Sequence, residues 1–174
     1  MIDFTLNHFE LFGLPATFQI DGGALEARYR DLARDVHPDR HAGDASEQRA
    51  AAQAAARVNE AYRMLKDPVE RGRYLLALEG IDALAETDTA LSRAFLEREL
   101  ERRERAADAQ DAGDVAALEA MLGDIRHESR ARESELAARL DARDLDGARN
   151  GVRELKFLQK VAADVDAMIE AIEA

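Results

Sequence analysis

The chain has 174 residues and no cysteine, and its 24 Lys+Arg against 36 Asp+Glu leave a net charge of −12. This length suits one domain or two small ones, and the charge argues against a binder of nucleic-acid backbones, which needs clustered positive charge. The missing thiols exclude disulfides, thiolate nucleophiles and Cys-based zinc or iron–sulfur ligation by this chain. Ala, Arg, Glu and Leu dominate, β-branched residues are sparse, and an all-α fold is expected. The first element is a short helix over 8–12, with Asn7 as its N-cap, Gly13 as its left-handed C-terminal residue and Pro15 as its stop. A second helix starts near Asp21 and carries Leu25, Leu32 and Val36 at helical spacing; Pro38 disfavours helical geometry at His37 and ends it there. His37 to Asp44 reads as a loop. A third helix then opens on a capping-box pattern, Asp44 with Glu47, and shows the stripe Ala51, Ala54, Val58, Ala61 and Leu65. Asp67-Pro68 ends it, and a short fourth helix covers 69–78.

The three prolines all lie at or before Pro68, so the chain beyond it can be helical with few interruptions. Residues 80–88 read as a linker, with Gly80 as a terminator and Glu86 to Thr89 supplying caps. Three longer helices are expected after it, over about 89–109, 114–140 and 144–174. In the last of them Ala148, Val152, Leu155, Leu158, Ala162, Val165, Ile169 and Ile172 recur close to every 3.5 residues, the seam of an antiparallel bundle. The domains are therefore placed at 1–79 and 89–174. Both are acidic: residues 1–84 hold 10 basic and 14 acidic side chains, residues 85–174 hold 14 and 22.

No catalytic constellation is present. Gly22-Gly23 has neither the spacing nor the lysine of a phosphate loop. His37 and His41 stand four apart, a spacing that pairs metal ligands on a helix, but Pro38 breaks the helix between them. A hydrolase using His37, Asp39 and His41 is thus the weakest reading, and neither a metal site nor a cofactor is expected. Carboxylates such as Glu97, Glu101 and Glu104 share a helix face at spacings that pair with nearby arginines. No apolar run approaches the roughly 18 residues of a membrane span, the start of the chain lacks the pattern of a signal peptide, and a cytoplasmic protein is expected.

The informative constellation is a helix ending at His37-Pro38-Asp39, followed by a second helix of matching apolar period. Two antiparallel helices joined there hold the loop outward, and Pro38 stiffens it. With Phe9-x-Leu11-x-Gly13, Tyr29-Arg30-x-Leu32-Ala33, His37-Pro38-Asp39-Arg40, Asn59-Glu60-Ala61-Tyr62-x-x-Leu65 and Asp67-Pro68, the sequence resembles the J-domain family over residues 7 to about 76. Phe12-Gly13-Leu14-Pro15, Arg73-Tyr74-Leu75-Leu76, Ala94-Phe95-Leu96 with Glu99-Leu100-Glu101, and Val152-Arg153-x-Leu155-x-Phe157-Leu158 look like its HscB branch, the J-type co-chaperones of iron–sulfur cluster assembly.

The resemblance implies a J-domain, an antiparallel helical hairpin with short flanking helices, joined to a C-terminal three-helix bundle. It implies a co-chaperone that activates the ATPase of an HscA/DnaK-type chaperone and has no catalytic site of its own. His37, Pro38 and Asp39 would be the trigger, with Tyr29, Arg30, Arg34 and Arg40 as chaperone contacts and Arg28 beside them. Asp31 interrupts this basic strip, and Val36 replaces a familiar aromatic, departures that suggest a dedicated chaperone. The client would be the iron–sulfur scaffold protein IscU, held by Leu96, Leu100, Glu101 and Glu104 on the fifth helix and by Phe157 on the last, unless these apolar residues are bundle core. A J-domain adaptor for a different client is the alternative. Glu97 stands where the family pattern has an apolar residue, and Asp108 falls at another acidic position. The layout implies a monomer.

Overall fold

The structure, a computed structural model of the chain, describes residues 2–37, 45–85 and 91–174. The described residues form seven helices and divide into two compact units, Met1–Leu78 and Glu79–Ala174.

The first unit contains α1 (His8–Phe12), α2 (Gly22–Asp35), α3 (Ala45–Lys66) and α4 (Pro68–Leu78). Each start has a chemical cause. Asn7 Oδ1 accepts from the Glu10 backbone N–H at 3.0 Å while Glu10 Oε2 accepts from the Asn7 N–H at 2.8 Å, a reciprocal cap on a helix too short to persist alone. Gly13, at φ 64°, closes it in the left-handed region. Asp21 caps α2 through the N–H groups of Gly23 and Ala24. The capping box expected at Asp44 lies outside the described residues.

The core of this unit is Phe9, Phe12, Leu25, Leu32, Val36, Ala54, Val58, Ala61 and Leu65, where α1 and the α2–α3 hairpin meet. Arg71 on α4 fastens the rim. Its Nε donates to the Phe18 carbonyl (2.7 Å), its Nη1 to the Leu65 carbonyl (2.5 Å), and its guanidinium lies 4.9 Å from the Phe18 ring.

His8 is the buried polar residue of this core, 3 % exposed, with its ring 4.3 Å from that of Tyr74 and no hydrogen-bond partner for Nδ1. Burial holds its pKa below the usual 6.5; Arg57 pushes the same way and Glu60 opposes. Below about pH 6.5 the unfolded chain therefore binds a proton that the folded unit refuses, so stability falls as the pH drops towards the folded pKa. Amide protection factors in the first unit, each taken relative to the intrinsic exchange rate at its own pH, are expected to fall between pH 7 and pH 5.5, and His8→Leu is expected to flatten that slope. An unchanged slope would assign it to other groups.

The second unit contains α5 (Arg93–Asp111), α6 (Val115–Asp141) and α7 (Leu145–Glu173). Helix α6 and α7 bury apolar residues along their length, including Leu118, Leu122, Ile125, Leu136, Ala148, Val152, Leu155, Leu158 and Val165. The expected seam of α7 shifts along the helix: Val161 is buried, whereas Ala162, Ile169 and Ile172 are half-buried. A straight helix drifts about 20° per heptad from a strict 3.5 period, which carries the later positions off the seam.

The two turns of this unit are alike. Gly113 at φ 65° and Arg143 at φ 56° each precede a capping aspartate, Asp114 and Asp144. Glycine takes that conformation freely, and arginine does not; Arg143 is also paired with Glu79 at 2.8 Å.

Two boundaries differ from expectation. Helix α5 starts after Ser92, whose Oγ accepts from the Phe95 N–H at 3.2 Å, and not near Thr89; the expected caps at 86–89 lie outside the described residues. Within the stretch read as a linker, Ala83 is fully buried, and its carbonyl accepts from the Arg153 Nε at 2.8 Å.

Candidate functional site

Two faces carry the sequence-predicted residues. The first runs along α2. Arg30 and Arg34 are four apart and His37 follows three later, so the three share one side of the helix line. All three are exposed. Arg30 lies 3.7 Å from Glu26 and Arg34 lies 3.6 Å from Asp31. Such exposed pairs hold their arginines loosely, with less than about 1 kcal/mol each, so a partner's carboxylate can exchange for them. Arg28 is exposed as well. Tyr29 points elsewhere: its ring stacks on that of Tyr62 at 4.0 Å and its hydroxyl donates to Asn59 Oδ1 at 2.8 Å. It braces α2 against α3. His37 directly follows Val36, the C-cap of α2, which is buried in the core, so the helix end is anchored while His37 is exposed. Pro38, Asp39, Arg40 and His41 lie outside the described residues.

The second face is the outer side of α5. Leu96 and Leu100 are 45 % and 59 % exposed, one turn apart. They are surface residues, not bundle core. Glu101 and Glu104 are exposed alongside them. Glu97 is exposed too and accepts from the Arg93 Nε at 2.7 Å. Phe157 on α7 is half-buried and meets Phe95 edge-on, with centroids 5.5 Å apart and ring planes at 81°. It also lines a shallow cleft with Leu84, Leu91, Lys156 and Lys160. Phe157 is therefore shared between core and surface. Phe157 thus meets α5 through Phe95, the residue next to Leu96 in the chain.

Behind this face lies a charged seam that the sequence reading missed. Arg102 donates through Nη1 to Glu99 and through Nη2 to Glu128, both at 2.6 Å. Arg132 lies 3.6 Å from Glu128 and donates to Glu154 at 2.6 Å. The series Glu99–Arg102–Glu128–Arg132–Glu154 thus passes from α5 through α6 to α7. Glu99 is 3 % exposed and its Oε2 has no hydrogen-bond partner. Burial raises its pKa above the ordinary carboxylate value, with Glu128 adding to the rise and Arg102 opposing it. Two guanidiniums, Arg98 and Arg132, lie 5.9 Å from the Phe95 ring. Spacings of three and four among these charges look the same in the sequence as exposed ion pairs. The available signal was positional: 95, 99, 102 and 106 follow one seam, and its two central places are charged.

Among the described residues no His, Asp or Glu cluster could hold a metal ion, and no helix is long and apolar enough to cross a membrane. Two family models match the chain, the DnaJ domain over residues 7–74 and the HSCB C-terminal oligomerisation domain over residues 91–166. A Burkholderia mallei protein named Co-chaperone protein HscB homolog is 47 % identical over 175 residues, covering 99 % of each chain. Its Burkholderia thailandensis counterpart is 46 % identical over the same share. Among solved structures, chaperone HscB from Vibrio cholerae aligns with a TM-score of 0.85 at 32 % identity, covering 96 % of this chain and 99 % of its own. The crystal structure of human co-chaperone protein HscB aligns with a TM-score of 0.87 at 26 % identity, covering 95 % of this chain and 83 % of its own. With a DnaJ domain and an HSCB C-terminal domain in this order, and with that identity over its whole length, the chain belongs to the HscB family of J-domain co-chaperones.

Proposed function

We propose that this co-chaperone stimulates the ATPase of an HscA/DnaK-type chaperone and delivers the iron–sulfur scaffold protein IscU to it in the cytoplasm, without a catalytic site of its own. One observation carries the reading: the two faces belong to two separately cored units. The first unit offers His37 with Arg30 and Arg34, followed in the sequence by Pro38, Asp39 and Arg40. A local positive strip on a chain of net charge −12 suits an acidic patch on a chaperone and steers encounter. The second unit offers Leu96 and Leu100 flanked by Glu101 and Glu104 on α5, and the half-buried Phe157 on α7. That mixture suits a client with exposed apolar groups and a basic rim. Two modest contacts on one chain reinforce one another through effective concentration.

The test is the steady-state ATPase rate of the cognate chaperone with this protein, with IscU, and with both. More-than-additive stimulation by both together supports the reading. Stimulation that IscU does not enhance keeps the J-domain role and moves the client to another protein. No stimulation removes the role. The protein is taken to act as a monomer; the matched C-terminal model is described as an oligomerisation domain, so sedimentation at assay concentration belongs with the rate measurement.

A further inference from the structure

We propose that Arg102, clamped between Glu99 and Glu128, is a positioning residue that sets the rotation of α5 and thereby aims Leu96 and Leu100 outward. The inference rests on the reading of the outer α5 face as the client surface.

The fastening of α5 is unlike that of its neighbours. Its buried residues are Phe95, Glu99 and Ala106. Between Phe95 and Ala106, about three turns, the inward side of the helix presents Glu99 and Arg102 in place of apolar side chains. Apolar burial is non-directional and tolerates some rotation of a helix about its axis. A planar guanidinium with both Nη atoms engaged is directional. Arg102 holds Glu99 on its own helix with one Nη and Glu128 on α6 with the other, each at 2.6 Å. Glu128 is held in turn by Arg132, and Arg132 by Glu154 on α7.

Stability is a poor account of this arrangement. Buried ion pairs often contribute no more than apolar residues of the same volume, because desolvation offsets their attraction. The buried, unpartnered Oε2 of Glu99 adds a cost of its own. What the charges supply is a defined angle. At 3.6 residues per turn, Leu100 lies about 160° and Leu96 about 120° round the axis from Arg102. Any rotation that the clamp permits is carried directly to both leucines. A site whose support is loose loses affinity without losing its residues.

The test uses the full chain in two variants. In the first, Glu99→Leu, Arg102→Leu and Glu128→Leu replace the charges together by apolar groups. In the second, Arg102→Lys keeps the charge and loses the fork. Three readouts are taken: the thermal midpoint, the methyl NMR resonances of Leu96 and Leu100, and the affinity for IscU by calorimetry. The triple variant is expected to melt no earlier than the parent. Its Leu96 and Leu100 methyls should shift or broaden, and its affinity should fall about tenfold. Arg102→Lys is expected to show the same methyl changes in smaller measure. Unchanged methyl resonances and affinity within about twofold in a folded triple variant would overturn the proposal. If the triple variant fails to fold, Arg102→Lys decides by the same criteria. If the parent does not bind IscU, the client assignment fails, and the methyl resonances alone still decide whether Arg102 positions α5.

Discussion

His37→Gln is expected to return the chaperone's ATPase to its unstimulated rate while leaving affinity for the client unchanged. His37 is exposed and follows Val36, the buried C-cap of α2, so the substitution removes nothing from the core of Phe9, Leu25, Leu32 and Leu65. A surface change of this kind shifts stability by within about 0.5 kcal/mol. The loss would therefore report recognition and not unfolding. The face proposed for the client lies on α5 and α7, in a unit with its own core of Phe95, Leu118, Leu122, Ile125 and Leu158. Calorimetry with IscU should give the same affinity for parent and variant. Loss of both activities would refute two separate faces. Retained stimulation would shift the trigger to Arg30 and Arg34.

Phe95→Ala has the largest expected effect on stability, about 3–5 kcal/mol off the second unit. Phe95 is 1 % exposed and is the large apolar residue that α5 buries. It meets Phe157 edge-on, and the guanidiniums of Arg98 and Arg132 each lie 5.9 Å from its ring centroid. Truncation removes the aromatic contact, both cation–π contacts and the area that keeps water from the charged seam. Urea unfolding resolved by amide exchange should show residues 79–174 opening earlier, with residues 2–78 unchanged. Stimulation of the chaperone in the absence of client should survive. A loss below about 1 kcal/mol would mean that α5 is held by its ion pairs and not by its ring.

Much of this architecture is legible in the sequence because its signals are local. Asn7, Asp21, Asp114 and Asp144 cap the helices at the places their chemistry suggests, and Gly13 closes α1. The exposed Leu96 and Leu100 became informative through resemblance, since spacing alone fits a core stripe equally well. What stayed hidden depends on neighbours distant in the chain. Glu99 and Arg102 read as a surface pair until Glu128 is brought against them from α6. Tyr29 is implied as a partner contact, and only the fold adds its stack on Tyr62 and its hydrogen bond to Asn59. Ala83 reads as linker until Arg153, 70 residues away, donates to its carbonyl. Arg143 takes the left-handed backbone at the place of Gly113 in two matching stretches, Asp111-Ala112-Gly113-Asp114 and Asp141-Ala142-Arg143-Asp144, a likeness that periodicity alone does not bring out.

The Tyr29–Tyr62 stack also makes the chain spectroscopically divisible. There is no tryptophan, and all three tyrosines lie before residue 78. Two phenol rings 4.0 Å apart and 17° from parallel sit in a fixed chiral arrangement, so their near-ultraviolet circular dichroism depends on tertiary packing and vanishes when it is lost. The tyrosine band belongs to the J-domain alone, while far-ultraviolet ellipticity sums over every helix. Melting followed at the two wavelengths would separate the unfolding of the two units without a label, a truncation or an added fluorophore.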